Sequence, residues 1–218
     1  MDKWKDQRME LLEAIGQVDS LGLVSGSSGN FSVSLERDRA DGYIMITPSQ
    51  VPYSIMKASD LMVVDLHGNI LHGDLTLSTE TPMHLALYKH SPDIKAVIHT
   101  HSVYASALAV SGLDLPPIID ELIVTVGGAV KVSDYGLPGS AELAINVCNA
   151  LEDRRAVLIR NHGLIGVGKN ISEAVNVCRL VERVCQVYVL ANSLGNVNIL
   201  PGDIVKLERA LFLNNLHE

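Results

Sequence analysis

Hydrophobic residues recur with two different spacings along this chain, and each spacing predicts a type of secondary structure. From about Trp4 to Leu21 the apolar residues follow helical spacing with charged residues between them, which predicts an amphipathic helix that Gly22 ends. A long helix with a similar apolar face is predicted to begin at a Ser172 cap and to continue to about Leu194. Shorter helices are predicted to start at Ser78–Thr79, to cover Ser102–Val110 and Ala141–Leu151, and to occupy part of the tail Pro201–Glu218.

Short runs rich in β-branched residues separate these helices and predict strands. The predicted strands cover 31–35, 43–46, 61–65, 70–71, 96–101, 122–126, 130–132, 156–159 and 164–167. The charged segment Glu36–Asp41 and the turn His67–Asn69 are short enough to join neighbouring strands as hairpins. Interleaved helices and strands indicate a layered fold of the α/β (α+β) class, and the short turns require that part of the sheet be antiparallel.

Composition favours one globular domain over residues 1–218. Of the 218 residues 47% are hydrophobic, and no Pro/Ser-rich linker, charge run or repeat divides the chain. The net charge of -8 argues against a nucleic-acid partner, since binding to many phosphates needs a basic surface. A small phosphorylated substrate is compatible with this charge because it needs only a few local donors.

Sequence features of membrane and secreted proteins are not found. No apolar run of about 18 residues exists, so no membrane partner is expected. The charged N-terminus Met1–Asp6 has no apolar segment behind it, and a cytoplasmic location is predicted. The cysteines Cys148, Cys178 and Cys185 have no paired spacing and are interpreted as small buried hydrophobic residues, which fits a reducing compartment.

Two histidines end the apolar run of residues 96–102. Residues two apart in a strand project from the same face, so His99 and His101 are expected side by side at the end of a buried strand. Two neutral imidazoles on one face supply half of a zinc site. The alternative is that they are ordinary polar residues at a strand end, and an isolated His-x-His motif does not decide between the two.

A second apolar run, residues 156–161, also leads into a histidine and favours the metal-site interpretation. His162 follows the run, and Gly163 is expected to let the chain turn sharply. Three histidines at the ends of two buried strands match the three protein ligands of an open catalytic metal site. A structural zinc site would instead be closed by a fourth cysteine or histidine ligand.

Three polar segments have both a structural and an anion-binding interpretation. The loop 25–30 is either a flexible turn or a nest of backbone N–H groups and hydroxyls, but it is not a P-loop because no GK[ST] follows. Segment 47–50 is predicted to be a tight turn with exposed hydroxyls. Ser78 and Thr79 either cap a helix or line a phosphate pocket. Glu80 either stabilises the helix, because its negative charge interacts favourably with the helix dipole, or is a catalytic carboxylate.

Five motifs follow one another in an order that one known family shares. They are Gly-Asn-Phe-Ser at 29–32, Thr-Pro-Ser at 47–49, Ser-Thr-Glu at 78–80, His-Thr-His at 99–101 and Asn-His-Gly at 161–163. With these motifs the chain resembles the class II aldolase/adducin-head family, which includes L-fuculose-1-phosphate aldolase and L-ribulose-5-phosphate 4-epimerase. The resemblance extends from about Leu11 to Leu190, and five motifs in order are far more specific than any one of them.

The resemblance implies a fold, an assembly and a set of site residues. The implied fold is a single three-layer α/β/α domain with a central, mainly antiparallel sheet, assembled as a homotetramer in which the tail 201–218 is a candidate contact with a neighbouring subunit. His99, His101 and His162 would hold one divalent metal per subunit, usually zinc, with Glu80 at the same metal as the catalytic acid/base. The residues implied in binding the substrate phosphate are Gly29, Asn30, Ser49, Gln50, Ser78 and Thr79.

The chemistry of such an aldolase agrees with these residue types. Cleavage of a ketose 1-phosphate of the L-fuculose 1-phosphate type would give dihydroxyacetone phosphate and an aldehyde through an enediolate that the metal stabilises as a Lewis acid. In the reverse direction a carboxylate must take a proton from the carbon beside the carbonyl. Glu80 is the candidate, provided that burial or a neighbour raises its pKa toward neutrality.

Two positions depart from the family pattern. Gln50 stands where the fuculose-phosphate aldolases usually have glycine, and its side chain either crowds or supplements the phosphate pocket. Those enzymes also use two tyrosines to protonate the aldehyde oxygen from a neighbouring subunit. This chain has Asp120 and Glu121 in the first of those segments and no tyrosine after Tyr188.

Other functions of the same family are alternatives. Epimerisation, dehydration of a methylthioribulose phosphate and decarboxylation of a sugar-acid phosphate use the same kind of enediolate, although Glu80 in place of aspartate disfavours the epimerase. A non-catalytic assembly module of the adducin type is disfavoured by the three histidines. The remaining histidines, His67, His72, His84, His90 and His217, are interpreted as having no direct chemical role.

Overall fold

One sheet forms the centre of the described structure. The computed structural model describes residues 3–35 and 42–216, so the predicted turn Glu36–Asp41 and His217 lie outside the described residues. The strands are β1 (Asn30–Ser34), β2 (Tyr43–Ile46), β3 (Met62–Asp65), β4 (Ile70–His72), β5 (Ala96–Thr100), β6 (Lys131–Val132), β7 (Ala156–Ile159) and β8 (Gly163–Gly168). Their spatial order is β4-β3-β2-β1-β5-β8-β7-β6. The pairs are antiparallel except for β6 with β7, so the predicted mainly antiparallel sheet is confirmed.

Helices cover both faces of this sheet. They are α1 (Lys5–Ser20), α2 (Thr81–His90), α3 (Val103–Ser111), α4 (Asp120–Val126), α5 (Ala141–Leu151), α6 (Ile171–Ser193) and α7 (Gly202–Leu216), with short 3-10 turns at Tyr53–Ile55 and Ala58–Asp60. One core cluster joins α1, α3 and α6 to the face that carries Phe31 and Ile98. A second cluster joins α2 and α5 to the opposite face, which carries Val97 and Ile165. The predicted α/β/α layering is confirmed, and none of the described helices is long and apolar enough to cross a membrane.

Strand β5 sends alternate side chains into the two layers. Ala96 and Ile98 belong to the core under α6, whereas Val97 belongs to the core under α2 and α5. His99 continues the alternation of Val97, so its ring faces the layer that contains α2. All five residues of β5 are buried, which explains how a histidine near a strand end can be fully removed from water.

The segment 122–126 is helical, so the strand predicted there is wrong. Helix α4 has Asp120 and Glu121 in its first turn, where negative charges interact favourably with the helix dipole. The helix ends at Gly127, which has φ +96°. Its buried side chains share one helical face, and the helix packs against α6 and α7. The β-branched composition favoured a strand, but packing of this face outweighs such a weak preference.

The cap of the long helix α6 lies two residues before the predicted cap, Ser172. Asn170 is the cap residue, and its side-chain oxygen accepts a hydrogen bond from the Glu173 amide at 2.9 Å. Asparagine and serine are both good caps, so the local sequence did not distinguish the two positions. The start of α5 is capped by Ser140, whose hydroxyl accepts from the Leu143 amide at 3.1 Å.

The cysteines behave as the sequence predicts. Cys178 and Cys185 are buried, Cys148 is half-buried, and all are free thiols. Burial raises the pKa of Cys178 to about 12, so its thiol stays protonated and acts as a small apolar side chain.

The C-terminal helix α7 is anchored to its own chain. Phe212 is 1% exposed, and its ring covers Gly127, where an added Cβ would lie 2.6 Å from a ring carbon. Arg209 forms an ion pair with Asp153 at 2.6 Å and donates a hydrogen bond to the Gly127 carbonyl. Helix α7 thus packs on its own subunit through Phe212 and Arg209, and the contact of the tail with a neighbouring subunit stays a prediction.

Replacing Phe212 with alanine should lower the free energy of unfolding by about 3–5 kcal/mol, because the ring leaves a void above Gly127. The control is Leu211→Ala on the same helix, whose side chain is 51% exposed and whose loss should cost less than about 0.5 kcal/mol. Urea unfolding followed by circular dichroism measures both. Equal losses would contradict the anchoring of α7 through Phe212.

Candidate metal and substrate site

Three histidine side chains meet at one edge of the sheet. His99 lies in β5, His101 follows that strand, and His162 lies in the turn between β7 and β8. Nε2 of His99 is 2.9 Å from Nε2 of His101 and 3.3 Å from Nε2 of His162. The ligand atoms of the group all lie within 4.8 Å of one another, so one metal ion could bind all three. The structure thus brings together the three histidines that the sequence singled out.

Strand β8 explains why segments distant in sequence meet here. It pairs antiparallel with both β5 and β7, so β5 and β7 run in the same direction and end at the same edge. The register places Thr100 opposite Leu164, next to the turn that carries His162. His101 and His162 therefore follow two strand ends that are separated only by β8.

Position 163 requires glycine because no space is left for a side chain. The backbone of the turn does not itself require glycine there. An added Cβ would lie 2.3 Å from the Thr100 carbonyl oxygen and 3.2 Å from the rings of His99 and His101. The turn is made instead by Asn161, whose φ of +57° is a left-handed conformation that asparagine adopts more readily than most residues. The expectation that Gly163 provides the sharp turn is therefore wrong.

Burial keeps the rings of His99 and His101 neutral, and a hydrogen bond orients the ring of His99. Nδ1 of His99 donates to the Leu164 carbonyl at 3.0 Å, which leaves Nε2 unprotonated toward the cluster. Burial lowers the pKa of His99 to about 3, against the opposing effect of the Glu80 charge. Burial, followed by the nearby His162, also lowers the pKa of His101. Neutral imidazoles are the form that binds a metal, so these rings need not lose a proton at pH 7.

The Glu80 carboxylate closes one side of the histidine cluster. Glu80 is 7% exposed and occupies the cap position immediately before α2. Its Oε2 lies 3.3 Å from Nε2 of His99, and its Oε1 lies 3.4 Å from Nε2 of His162. Oε1 has no hydrogen-bond partner among the described residues although it is buried. Three imidazole nitrogens with such an oxygen form a donor set that fits a divalent metal.

The pKa of Glu80 is lowered, contrary to the expectation from the sequence. Burial is the largest influence and raises this pKa, but His99, the hydrogen bond from Asn30 and His162 together outweigh it. Nδ2 of Asn30 donates to Oε2 at 2.6 Å, and a hydrogen bond to a charged group typically contributes about 1.5–3 kcal/mol. Because burial keeps His99 neutral at pH 7, the Asn30 bond is the part of this stabilisation that persists there. Glu80 is therefore ionised, the state that a general base needs.

Asn30 is surrounded by protein partners. It is 4% exposed, and its Oδ1 accepts a hydrogen bond from Nε2 of His84 at 2.5 Å. Besides Glu80, its Nδ2 contacts the hydroxyl of Ser78 at 3.3 Å. The Asn30 side chain, which was predicted to bind phosphate, is thus hydrogen-bonded to Glu80 on one side and to the buried His84 on the other.

The turn after β2 is joined to the chain that leads into Ser78. The Ser49 amide donates to the Thr76 carbonyl at 2.8 Å, and a β-bridge connects the two segments. Gln50 has φ +61°, a conformation that glycine adopts without strain, which is consistent with glycine at this position in the fuculose-phosphate aldolases. Ser49 and Ser78 are half-buried, whereas Gln50 and Thr79 are exposed.

The serine-rich loop before β1 is closed by its own hydrogen bonds. The Ser28 hydroxyl donates to the Ser25 carbonyl at 2.7 Å and accepts from the Ser25 amide at 3.1 Å. The Tyr53 hydroxyl donates to the Gly29 carbonyl at 2.7 Å. An added Cβ on Gly29 would lie 2.4 Å from the His99 carbonyl oxygen, so the loop rests directly on β5.

Three residues behind the site were not identified from the sequence as part of it. Nδ1 of His84 lies 2.6 Å from the Ser32 hydroxyl, which lies 2.8 Å from the Tyr88 hydroxyl. Ser32 and His84 are fully buried, although β1 was predicted to be only half-buried and His84 to have no chemical role. A signal was available, because Glu80, His84 and Tyr88 recur every four residues and therefore share one face of α2.

Known proteins share the sequence pattern of this chain. The pattern described as "Class II Aldolase and Adducin N-terminal domain" matches residues 9–189. The chain is 36% identical over 197 residues to 5-deoxy-D-ribulose 1-phosphate aldolase of Bacillus thuringiensis serovar kurstaki, over 90% of this chain and 91% of that protein. It is 31% identical to L-fuculose phosphate aldolase of Escherichia coli K12, over 83% of this chain and 81% of that protein. The resemblance inferred from the five motifs is confirmed.

Solved structures share the fold. A structure of L-fuculose 1-phosphate aldolase matches with a TM-score of 0.89 and 35% identity, over 95% of this chain and 96% of that chain. A sugar-phosphate aldolase from Thermotoga maritima is only 22% identical, yet it matches with a TM-score of 0.77 over 89% of this chain and 98% of that chain. The second match concerns the fold alone, and together they confirm the predicted fold class.

Replacing Gly163 with alanine should destabilise the protein by about 1–3 kcal/mol and weaken metal binding, because the new methyl group would push β8 away from Thr100 and displace two histidine rings. The control is Gly16→Ala in α1, where nothing lies within 4 Å and alanine should add about 0.5–1 kcal/mol of stability. Thermal unfolding and a zinc titration measure the two effects. Unchanged zinc affinity in Gly163→Ala would contradict the close approach described here.

His84 should make the folded state sensitive to mild acid. Burial, opposed by the Glu80 charge, lowers the pKa of His84 to about 4, whereas the unfolded chain has an ordinary value near 6.5. The unfolded state therefore binds the extra proton first as pH falls, so stability is lost between about pH 6.5 and 4 by up to about 1.4 kcal/mol per pH unit. Urea unfolding from pH 7.5 to 4.5 should show a shallower loss in His84→Gln. The exposed His90→Gln on the same helix is the control, and an unchanged slope in His84→Gln would contradict this assignment.

Proposed function

Because the chain belongs to the class II aldolase and adducin N-terminal domain family, we propose that it is a metal-dependent aldolase that cleaves a small ketose 1-phosphate. Its family and its relatives with aldolase names support lyase activity. The observation that carries the proposal is the meeting of three imidazole nitrogens and the Glu80 carboxylate, with contacts of 2.9 to 3.4 Å, at one edge of the sheet. The proposed products are dihydroxyacetone phosphate and an aldehyde.

The histidine cluster is the proposed metal site. His99, His101 and His162 would hold one divalent ion per subunit, with Glu80 beside it. Bound there, the ion would act as a Lewis acid that stabilises the negative charge of the enediolate. Three histidine ligands with an open position are typical of catalytic zinc, so we propose zinc ahead of manganese or cobalt. The exposure of His101, in contrast to the buried His99, leaves one side of the site open to substrate.

Glu80 is the proposed acid/base. In the direction of condensation its carboxylate takes a proton from the carbon beside the carbonyl of dihydroxyacetone phosphate, and the electron pair left behind forms the enediolate. In the direction of cleavage the electron pair of the broken carbon–carbon bond reaches the same enediolate, and protonated Glu80 returns a proton to that carbon. The aldehyde forms as the hydroxyl of the other carbon loses its proton to solvent, and Glu80, which is ionised at rest, takes up a proton from solvent before it protonates the enediolate carbon. The lowered pKa of Glu80 keeps it ionised for the first of these directions.

The loops around Ser78 are the proposed phosphate site. Hydroxyls and backbone N–H groups can bind a phosphate without a basic surface, and the N-terminal end of α2 adds a favourable dipole. Such a site would let a protein with a net charge of -8 bind a phosphate. The proposed residues are Gly29, Asn30, Ser49, Gln50, Ser78 and Thr79.

The names of relatives guide the choice of substrates. One relative is named for 5-deoxy-D-ribulose 1-phosphate and another for L-fuculose phosphate, so both belong in the first panel of substrates. We also propose a homotetramer in the cytoplasm, which rests on the family resemblance and on three free cysteines. Sedimentation equilibrium of the pure protein tests the assembly.

The purified protein should contain about one zinc ion per chain and should release dihydroxyacetone phosphate from a ketose 1-phosphate, and a chelator should abolish the release. Metal analysis and a coupled assay across the substrate panel measure the two properties. Metal without release would redirect the assignment to epimerase, dehydratase or decarboxylase chemistry. A protein that binds no metal would favour an assembly module.

Two variants should separate metal binding from proton transfer. His99→Ala should lose both metal and turnover, whereas Glu80→Gln should keep the metal and lose about 10²- to 10⁴-fold in kcat. The control is His67→Ala, an exposed histidine outside the cluster. Full turnover by metal-free His99→Ala, or by Glu80→Gln, would contradict the respective role.

A further inference from the structure

A buried polar stripe runs from the candidate site into the interior between β1 and α2. On the strand, Asn30 and Ser32 are two residues apart and share one face, opposite the apolar Phe31. On the helix side, His84 and Tyr88 follow Glu80 at intervals of four and line one face. The strand and the helix thus contact each other here through polar side chains, although a strand and a helix usually pack through apolar ones.

The hydrogen bonds in this stripe can run in one direction only. Ionised Glu80 can only accept, so the Asn30 atom 2.6 Å away must be its NH2 group. Oδ1 of Asn30 then accepts from Nε2–H of His84, and the neutral ring must accept at Nδ1 from the Ser32 hydroxyl. The Ser32 oxygen in turn accepts from the Tyr88 hydroxyl at 2.8 Å. Every donor therefore points toward Glu80.

Burial keeps His84 and Tyr88 of this hydrogen-bonded chain in the protonation states just described. His84 is 0% exposed, and burial lowers its pKa to about 4, so the ring is neutral at pH 7. Burial also raises the pKa of Tyr88, so its hydroxyl keeps the proton that it donates. Bonds aligned in one sense polarise one another, which strengthens the last bond to the carboxylate.

We propose that His84 is a positioning residue, which as the Nε2–H tautomer fixes the orientation of the Asn30 amide and, through it, the Glu80 carboxylate. Without the His84 donor, the Asn30 amide could rotate and place its oxygen against Glu80, where two acceptors would repel each other. The catalytic consequence rests on the proposed role of Glu80 as the acid/base, whereas the tautomer and the amide orientation do not.

The chain gives the two oxygens of Glu80 different roles. Oε2 is held by Asn30, whereas Oε1 has no hydrogen-bond partner among the described residues and lies 3.4 Å from Nε2 of His162. Oε1 is therefore the oxygen that is left to contact a bound metal ion or the substrate. A loss of His84 should misplace this atom without removing any group that touches the substrate.

Matched substitutions at His84 test the positioning role through turnover. Glutamine can still donate to Asn30, whereas leucine fills the space without a donor. We expect His84→Leu to lose about 10- to 100-fold in kcat, and His84→Gln to recover most of that loss. His90→Leu, an exposed position on α2, is the control. Equal losses in His84→Gln and His84→Leu, or no loss in either, would overturn the proposal.

Nuclear magnetic resonance tests the same proposal without any assay of turnover. In uniformly ¹⁵N-labelled holoprotein at pH 7, the His84 ring should show a protonated Nε2 and an unprotonated Nδ1. The Asn30 amide protons should exchange slowly in the wild type and in His84→Gln but quickly in His84→Leu. A protonated Nδ1, or slow exchange that survives in His84→Leu, would overturn the positioning role. The expected tautomer and exchange pattern in a protein that cleaves no ketose phosphate would instead show that the proposed function had failed.

Discussion

The pairing of β8 between β5 and β7 is the constraint on which the candidate site depends. It makes two strands that are about sixty residues apart end at the same edge. It also brings Gly163 of β8 so close to the Thr100 carbonyl of β5 that no side chain fits there. The same pairing places the Leu164 carbonyl where it orients the His99 ring. The relative positions of the candidate metal ligands are therefore set by backbone hydrogen bonding within the sheet, which is stiffer than a surface loop.

Burial of the site has a cost that the surrounding polar groups offset. Removing a carboxylate from water is unfavourable unless partners replace the lost hydration. Glu80 receives one strong hydrogen bond from Asn30, and the chain behind Asn30 supplies further polarisation. Its other oxygen has no hydrogen-bond partner among the described residues and faces His162 at the candidate metal site.

The loops at the site are supported from beneath, while their outer side chains face solvent. Tyr53 holds the Gly29 carbonyl, and the turn with Ser49 pairs with the segment before Ser78. Gln50 and Thr79 are exposed at the surface of these supported loops. Such a division combines a supported backbone with side chains that are free to contact a ligand.

The sequence by itself determined the layered fold class, a partly antiparallel sheet and the three candidate metal-binding histidines, because strand periodicity and local motifs carry that information. That the sheet is mainly antiparallel followed only from the family resemblance. The sequence pattern predicted a strand where α4 lies, because β-branched composition is a weak signal that packing against α6 and α7 overrides. It also assigned Gly163 to a turn that Asn161 makes. Only the tertiary structure decided that Ser32 and His84 lie in one buried chain and that the pKa of Glu80 is lowered. Those properties depend on which face of β1 meets which face of α2, a contact between segments some fifty residues apart that no local pattern encodes.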